Sequence, residues 1–161
     1  MKHILSIVVR NKPGVMSHVS GLFTRRGYNI DSIAVGVTHE DGVSVITIVL
    51  RGDDQVLTQF QGQLLKLADV IEVRTLPYHD SVIRELILIR VSCKKDDRTQ
   101  IFGIVEVFHG RIQEIMPESM LIEMQGSPRQ VNSLLTMLEP FGIMEVARTG
   151  QIALPLQTEM D

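Results

Sequence analysis

One order of strands and helices occurs twice along this chain, and that repeat constrains its fold more than any other feature. In the first 77 residues, apolar runs typical of strands and apolar spacings typical of helices follow in the order β-α-β-β-α-β. After the linker "PYHDSV" the same order begins again. Each set predicts a sheet that carries its helices on one face. The predicted fold class is therefore α+β, with two consecutive βαββαβ units that span residues 1–77 and 78–161.

The first unit starts with the strand "HILSIVV" and a helix whose apolar residues share one face. Gly27 follows this helix where a left-handed cap is expected. Residues 30–38 alternate as a strand does, and Asp41-Gly42 favours a hairpin turn into a strand over residues 43–51. A second helix and the strand "VIEVRTL" complete the unit. The apolar residues that define these elements are Val15, Met16, Val19, Leu22 and Phe23 in the first helix, Ile33, Val35 and Val37 in the second strand, and Val56, Leu57, Phe60, Leu64 and Leu67 in the second helix.

The second unit is predicted from the same signals. "RELILIRVS" predicts a strand, and Ile101, Ile104, Val105 and Phe108 then fall at helical spacing. "GRIQEIM" and "SMLIEMQ" predict a pair of strands. The run from Ser127 to Gln130 is a capping box with proline at the first helical position, so a helix begins there. "IMEVARTGQIAL" predicts one closing strand.

Composition narrows the class of protein. Of the 161 residues, 44% are apolar and only 4% are aromatic, with no Trp, so the core is expected to be aliphatic. A net charge of −3 gives no reason to expect nucleic acid or an anionic membrane as a partner. Cys93 is the only cysteine, which rules out an internal disulfide and favours a reducing compartment. No apolar run reaches a spanning length and the N-terminal run is too short for a signal peptide, so we expect a cytoplasmic protein.

The residues that usually carry catalysis form no constellation in the sequence, so we predict no catalytic residue. The chain has no GxGxxG, P-loop or GxSxG motif. Cys93 has no base nearby in sequence, and an inert buried thiol is expected. The pairs Asp53-Asp54 and Asp96-Asp97 precede helices, where capping is the simplest role for them. The histidines show no metal-ligand spacing, and we predict no metal site from them: His3, His18, His39, His79 and His109.

Two other function classes use the same order of elements. RNA-binding modules stack bases on aromatic residues of the sheet, whereas Tyr28 and Tyr78 lie between predicted elements here. A small phosphatase would need an anion-binding loop of the G-x-V-Q-G kind after its first strand, and this loop is "NKPG". Neither class is favoured.

The "NKPG" loop joins the first strand to the first helix and is a candidate binding site. The first N–H groups of a helix lack internal partners and carry partial positive charge, so they bind anions such as carboxylates. Gly14 lets a ligand approach the backbone, and the side chain of Asn11 has both a donor and an acceptor. Val15 and Met16 offer apolar walls. Together these groups suit a small aliphatic amino acid, although plain turn chemistry also explains the loop.

The stretch "ILSIVVRNKPGVMSHVSGLFTRRGYNIDSIAVG" resembles the N-terminal ACT domain of the acetolactate synthase (acetohydroxyacid synthase) small subunit family. The run from Gly21 to Ser32 is the most specific part, because ACT domains in general share the N-x-P-G loop but not this run. "EVARTG" at 145–150 resembles the end of that family's C-terminal domain, and Phe108-His109-Gly110 is similar to a Phe-Arg-Gly-type segment of the family. The resemblance implies two ferredoxin-like units, the first of them an ACT domain.

The resemblance also implies a function. It implies a non-catalytic regulatory subunit that binds no cofactor itself and activates a large catalytic subunit, on which thiamine diphosphate, Mg and FAD are expected. It implies feedback inhibition by a branched-chain amino acid, chiefly valine, in the biosynthesis of valine, leucine and isoleucine. The effector is expected between the ACT domains of a homodimer, since the second strand of such a sheet is usually an edge that pairs with its copy. One subunit would contribute Asn11, Gly14, Val15 and Met16, and the other Asn29 and Ile30. The alternative is a free-standing ACT-type sensor that regulates a different enzyme.

Overall fold

The computed structural model of the protein describes residues 1–157, apart from the side chain of Arg25. Its chain forms two compact units, one from Met1–Val82 together with residues 151–157, the other from Ile83–Gly150. The predicted domains at 1–77 and 78–161 are continuous stretches of sequence. The compact units differ from them because the segment after Gly150 packs with the first unit.

The first unit has the predicted order of elements. These are β1 (Lys2–Arg10), α1 (Val15–Arg26), β2 (Asn29–Val37), β3 (Val43–Arg51), α2 (Asp54–Leu65) and β4 (Val70–Leu76). The four strands form one antiparallel sheet in the order β2-β3-β1-β4. The predicted βαββαβ unit is confirmed, and β2 lies at an edge of the sheet as expected.

Aliphatic side chains on one face of this sheet form the core with the two helices. β1 and β3 contribute alternate residues, because successive side chains of a strand point to opposite faces. Phe60 of α2 is fully buried, and its ring lies 5.1 Å from that of Phe23 and 4.7 Å from that of Tyr28. The buried cluster consists of Leu5, Ile7, Val9, Val15, Val19, Ile46, Ile48, Leu50, Leu57, Phe60 and Leu64.

The helix caps show which local predictions succeed. Gly27 has a φ of 63° and donates its N–H to the Phe23 carbonyl, which confirms the left-handed cap. Asp53 is extended and accepts the Val56 N–H at 2.9 Å, which confirms capping there. The capping prediction is wrong for Asp97, which makes no side-chain cap bond. A short 3-10 turn, Lys95–Asp97, runs directly into the next helix, so Asp97 has a helical backbone instead of the extended one that a cap requires.

The second unit repeats the arrangement. Its elements are β5 (Ser81–Ser92), α3 (Arg98–Val107), β6 (Arg111–Ile115), β7 (Ser119–Gly126), α4 (Pro128–Leu138) and β8 (Ile143–Arg148), with strand order β6-β7-β5-β8. β5 begins two residues before the unit does. The capping box at Ser127 is confirmed, since both of its reciprocal hydrogen bonds are present. Cys93 is fully buried in the core of this unit, as predicted.

The single closing strand predicted for "IMEVARTGQIAL" is wrong. The chain forms two strands there, β8, which pairs with β5, and β9 (Ile152–Pro155). Gly150 separates them with a φ of 84°, a conformation that L side chains rarely adopt. The break is stabilised by Thr149, whose Oγ1 accepts the Leu86 N–H at 3.1 Å.

The final segment belongs to the first unit through specific contacts. The Gln151 N–H donates to Ser32 Oγ at 2.7 Å, on the face of the sheet that carries no helix. β9 then lies against β4, which is at the opposite edge of the sheet from β2. The segment therefore crosses the helix-free face. Within residues 1–157, no helix has both the length and the apolar character needed to cross a membrane.

Candidate functional site

The loop between β1 and α1 has an exposed main chain with a defined conformation. Gly14 has a φ of 87°, so the turn favours glycine at this position. A Cβ placed on Gly14 would meet no atom within 4 Å, so the space in front of it is open. The Asn11 N–H donates to the Gly42 carbonyl at 2.7 Å and the Val15 N–H to the Lys12 carbonyl at 3.3 Å. The loop is thus anchored on its inner side and open on its outer side.

The positive end of α1 lacks local compensation. Among the described residues no side chain caps this terminus, and its first turn contains no acidic residue. The start of α2 differs, because Asp53 caps it and Asp54 lies in its first turn. Uncompensated N–H groups at a helix start favour an anion. This end of α1 is therefore suited to a carboxylate.

The apolar residues that follow Gly14 divide between core and surface. Val15 is only 5% exposed, and its side chain belongs to the core. It therefore presents its main chain to the loop, and its side chain does not form the apolar wall that we expected. Met16 is 38% exposed. Of the two predicted walls, only Met16 is on the surface.

Asn29 and Ile30 lie at the start of β2. The Asn29 side chain is exposed, whereas Ile30 is half-buried and packs against the core. Asn29 pairs with Arg51 and Ile30 with Leu50, but the register then shifts, so that Ser32 pairs with Val49. Asp31 is the extra residue of this bulge. Its Oδ2 accepts a hydrogen bond from Arg51 Nε at 2.8 Å and lies 3.8 Å from Lys2 Nζ.

The predicted site residues fall into two groups at opposite ends of the first sheet. Asn29 lies at the level of Arg51 and therefore of Lys2, the first residue of β1. Asn11 follows Arg10, the last residue of β1. Eight residue steps along a strand correspond to about 26 Å. A single copy of the chain therefore brings Asn11, Gly14, Val15 and Met16 together, but not with Asn29 and Ile30.

The edge of β2 carries an apolar row. Ile33, Val35 and Val37 lie opposite Ile48, Ile46 and Ser44, so they share the helix side of the sheet, as their alternation predicts. All three are exposed, and Val37 is 79% exposed. We call these three residues the edge row. An unpaired strand edge with exposed apolar residues is a site for pairing with another chain.

The histidines and the cysteine considered in the sequence analysis form no comparable site in the described residues. No cluster of three or more metal-ligating side chains occurs in the part of the chain that the structure describes. His18 is exposed on α1. Cys93 donates its thiol to the neighbouring Lys94 carbonyl at 3.6 Å.

Sequence reasoning missed two ionic clusters. One is the Asp31 cluster with Lys2 and Arg51. The other is the pair formed by Glu85 and Arg148, in which the guanidinium donates two hydrogen bonds to a carboxylate that is 2% exposed. The hydrogen bond from Arg148 to Glu85 raises the pKa of Arg148 above its ordinary value. Charged residues at strand ends and within strands were the available signal. Pairing them requires the strand register, which cannot be predicted from neighbouring residues in the sequence.

Comparisons with known proteins match both halves of the chain. The family model described as an AHAS small subunit-like ACT domain matches residues 5–72, and the model described as the small subunit of acetolactate synthase matches residues 84–156. The acetolactate synthase small subunit of Mycolicibacterium smegmatis is 42% identical, over 94% of this chain and 89% of that protein. The acetolactate synthase small subunit of Aquifex aeolicus is 40% identical, over 95% of this chain and 80% of that protein.

A solved structure agrees with these matches. The crystal structure of the acetolactate synthase small subunit from Thermotoga maritima has a TM-score of 0.91 to this chain at 37% identity, and the match covers 99% of both chains. The first unit is thus an ACT domain within an α+β fold of two βαββαβ units. Since the similarity extends over nearly the whole length, this chain belongs to the acetolactate synthase small subunit family.

Proposed function

We propose that this chain is the regulatory subunit of an acetolactate synthase in the cytoplasm, acting in branched-chain amino acid biosynthesis. It activates a large catalytic subunit that carries thiamine diphosphate, Mg and FAD, and it binds no cofactor itself. Membership of the small subunit family supports this role. Valine, bound to the ACT domains, would lower the activity of the complex.

The separation of the two groups of site residues is the observation that carries the proposed effector site. Asn29 and Ile30 lie about 26 Å from Asn11 within one copy, so a complete site needs a second copy. Val37, at the far end of β2, pairs with Ser44, which lies opposite Val9 near the "NKPG" loop. If two β2 edges pair antiparallel about a two-fold axis, the start of each β2 meets the loop end of the other copy. The edge row would be covered in the same contact.

The chemistry of this composite site suits a small zwitterion. The uncompensated start of α1 would receive the carboxylate, and Asn11 has an acceptor for the ammonium group. Met16 and Ile30 supply apolar surface for a branched side chain. A dissociation constant of about 0.1 mM corresponds to about −5.5 kcal/mol. For a ligand of valine's size this lies within the known limits of binding energy per atom.

Binding at a two-fold contact links the effector to the geometry of the dimer. A ligand alters a partner's activity only by its different affinity for two states. A coupling free energy of about 1–3 kcal/mol changes the affinity or population about 5- to 150-fold. A ligand held by both copies therefore provides a means of regulation.

The decisive test mixes the purified chain with a cognate acetolactate synthase catalytic subunit and measures acetolactate formation with and without valine. We expect the rate to rise on mixing and valine to reduce it. An unchanged rate on mixing would refute the regulatory role. Valine binding without any effect on the synthase would instead favour the free-standing ACT-type sensor, and turnover of pyruvate by the isolated chain would indicate an enzyme.

A further inference from the structure

The bulge in β2 determines which side chains face the core. Ile30 lies opposite Leu50, and Ile33 lies opposite Ile48; both partners belong to the core beneath the helices. In a regular strand, residues three apart point to opposite faces. The extra residue at Asp31 allows Ile30 and the edge row to share the helix side of the sheet.

One carboxylate holds this bulge. Asp31 Oδ2 accepts from Arg51 Nε at 2.8 Å and lies 3.8 Å from Lys2 Nζ. Arg51 is the last residue of β3, Lys2 is the first of β1, and the two residues pair in register. Asp31 therefore connects three strands at one end of the sheet. A bulge interrupts the main-chain ladder, and within the described residues of one copy β2 has a neighbouring strand on one side only, so this side chain supplies a restraint that the ladder lacks.

Folding stability is a weak explanation for such a cluster. Arg51 and Lys2 are 59% and 40% exposed, and exposed ion pairs add little to stability. The position of the cluster provides a stronger explanation, because Asp31 directly follows Asn29 and Ile30. Bulges commonly re-aim residues beside functional sites.

We infer that Asp31 is a positioning residue for the effector, because its contact with Arg51 and Lys2 fixes the main chain of Asn29 and Ile30 in the orientation that binds the ligand. This inference rests on the proposed function. It assigns a role in regulation to a residue that does not itself touch the effector. Loss of the carboxylate is expected to weaken effector binding while the fold and the dimer remain.

The test is a double-mutant cycle in the full chain. Asp31→Asn and Arg51→Gln should each raise the dissociation constant for valine by about threefold to tenfold, measured by calorimetry. The double variant should be no worse than Asp31→Asn alone, because Asp31→Asn already removes the contact that Arg51→Gln removes. Glu72→Gln is the matched control, since it breaks an exposed pair with Arg74 (3.9 Å) on β4, at the opposite edge of the same sheet. This control should bind valine like the wild type.

The outcomes separate this inference from the proposed function. If the wild type binds valine and Asp31→Asn has the same dissociation constant for valine, this inference is overturned but the proposed function is not. Additive losses in the double variant would overturn it as well, because the two residues would then act independently. Sedimentation must show dimers in every variant, and dissociation of Asp31→Asn to monomers would mean that Asp31 acts on assembly instead. Absence of valine binding by the wild type would overturn both the effector site and this inference.

Discussion

Replacing Arg148 by Met should destabilise the protein strongly. Within the described residues, Arg148 is the hydrogen-bonding partner of the Glu85 carboxylate, which is 2% exposed, and the pair is bidentate. Removing one member of a buried pair leaves a charge without water or a partner, at a cost of about 3–5 kcal/mol. The substitution is therefore costly because it leaves the buried Glu85 carboxylate without its partner. We expect the variant to lose about 3–5 kcal/mol of the free energy of unfolding at pH 7.

The pH dependence of this pair follows from the pKa of Arg148. In the wild type, hydrogen bonding to Glu85 raises the pKa of Arg148. The contribution of the guanidinium is therefore fully present below the ordinary pKa of arginine, and it is lost only as pH rises through the raised value. The arginine adds no pH dependence of its own between pH 5 and pH 7.

Urea denaturation followed by circular dichroism at pH 7 measures this loss. Arg90→Met is the matched control in the same sheet, because Arg90 pairs at 3.1 Å and 3.6 Å with Glu114 and Glu145, which are exposed. We expect this control to lose less than about 1 kcal/mol. A loss below about 1 kcal/mol for Arg148→Met would refute the reasoning.

Three further substitutions test the site and one strained position. Gly14→Asp should abolish the inhibition of the synthase by valine, because its carboxylate would occupy the start of α1. Gly14→Ala is the control: its methyl group meets open space, so it should retain part of the response. Full sensitivity of the aspartate variant to valine would contradict the site. Asn29→His should weaken valine binding several-fold by crowding the loop of the facing copy, and an unchanged heat of binding in calorimetry would reject that assignment. His109→Gly should stabilise the fold by about 0.5–1 kcal/mol in urea denaturation, because His109 at the end of α3 has a φ of 56°, which glycine adopts more readily. His18→Gly, within α1, is the control and should destabilise the fold by about 1 kcal/mol.

Features that depend on neighbouring residues were predictable from the sequence. Gly27, Asp53 and Ser127 act as caps because the groups they satisfy lie within four residues. The edge row was predictable for the same reason, since the alternation of Ile33, Val35 and Val37 is a local property. The order of elements followed from these local signals.

Features that depend on register or on adjoining backbone were not predictable. Asp97 lies in the same kind of sequence as Asp53, but the preceding turn gives it a helical backbone and removes the cap. The Asp31 cluster and the Glu85–Arg148 pair join residues up to 63 positions apart. The separation of the site residues into two groups also emerged only when strand register was known. Their assembly across a dimer remains a prediction.

The chain enters the second unit at Ile83 and leaves it at Gly150, and it lies in the first unit on both sides. The second unit is therefore an insertion into the first, held by two peptide connections. A single protease cut at one connection would leave residues 83–150 covalently joined to the first unit only through the other connection. Release of residues 83–150 requires two cuts, and expression of residues 1–82 alone would remove the donor to Ser32 and uncover part of the sheet that binds it.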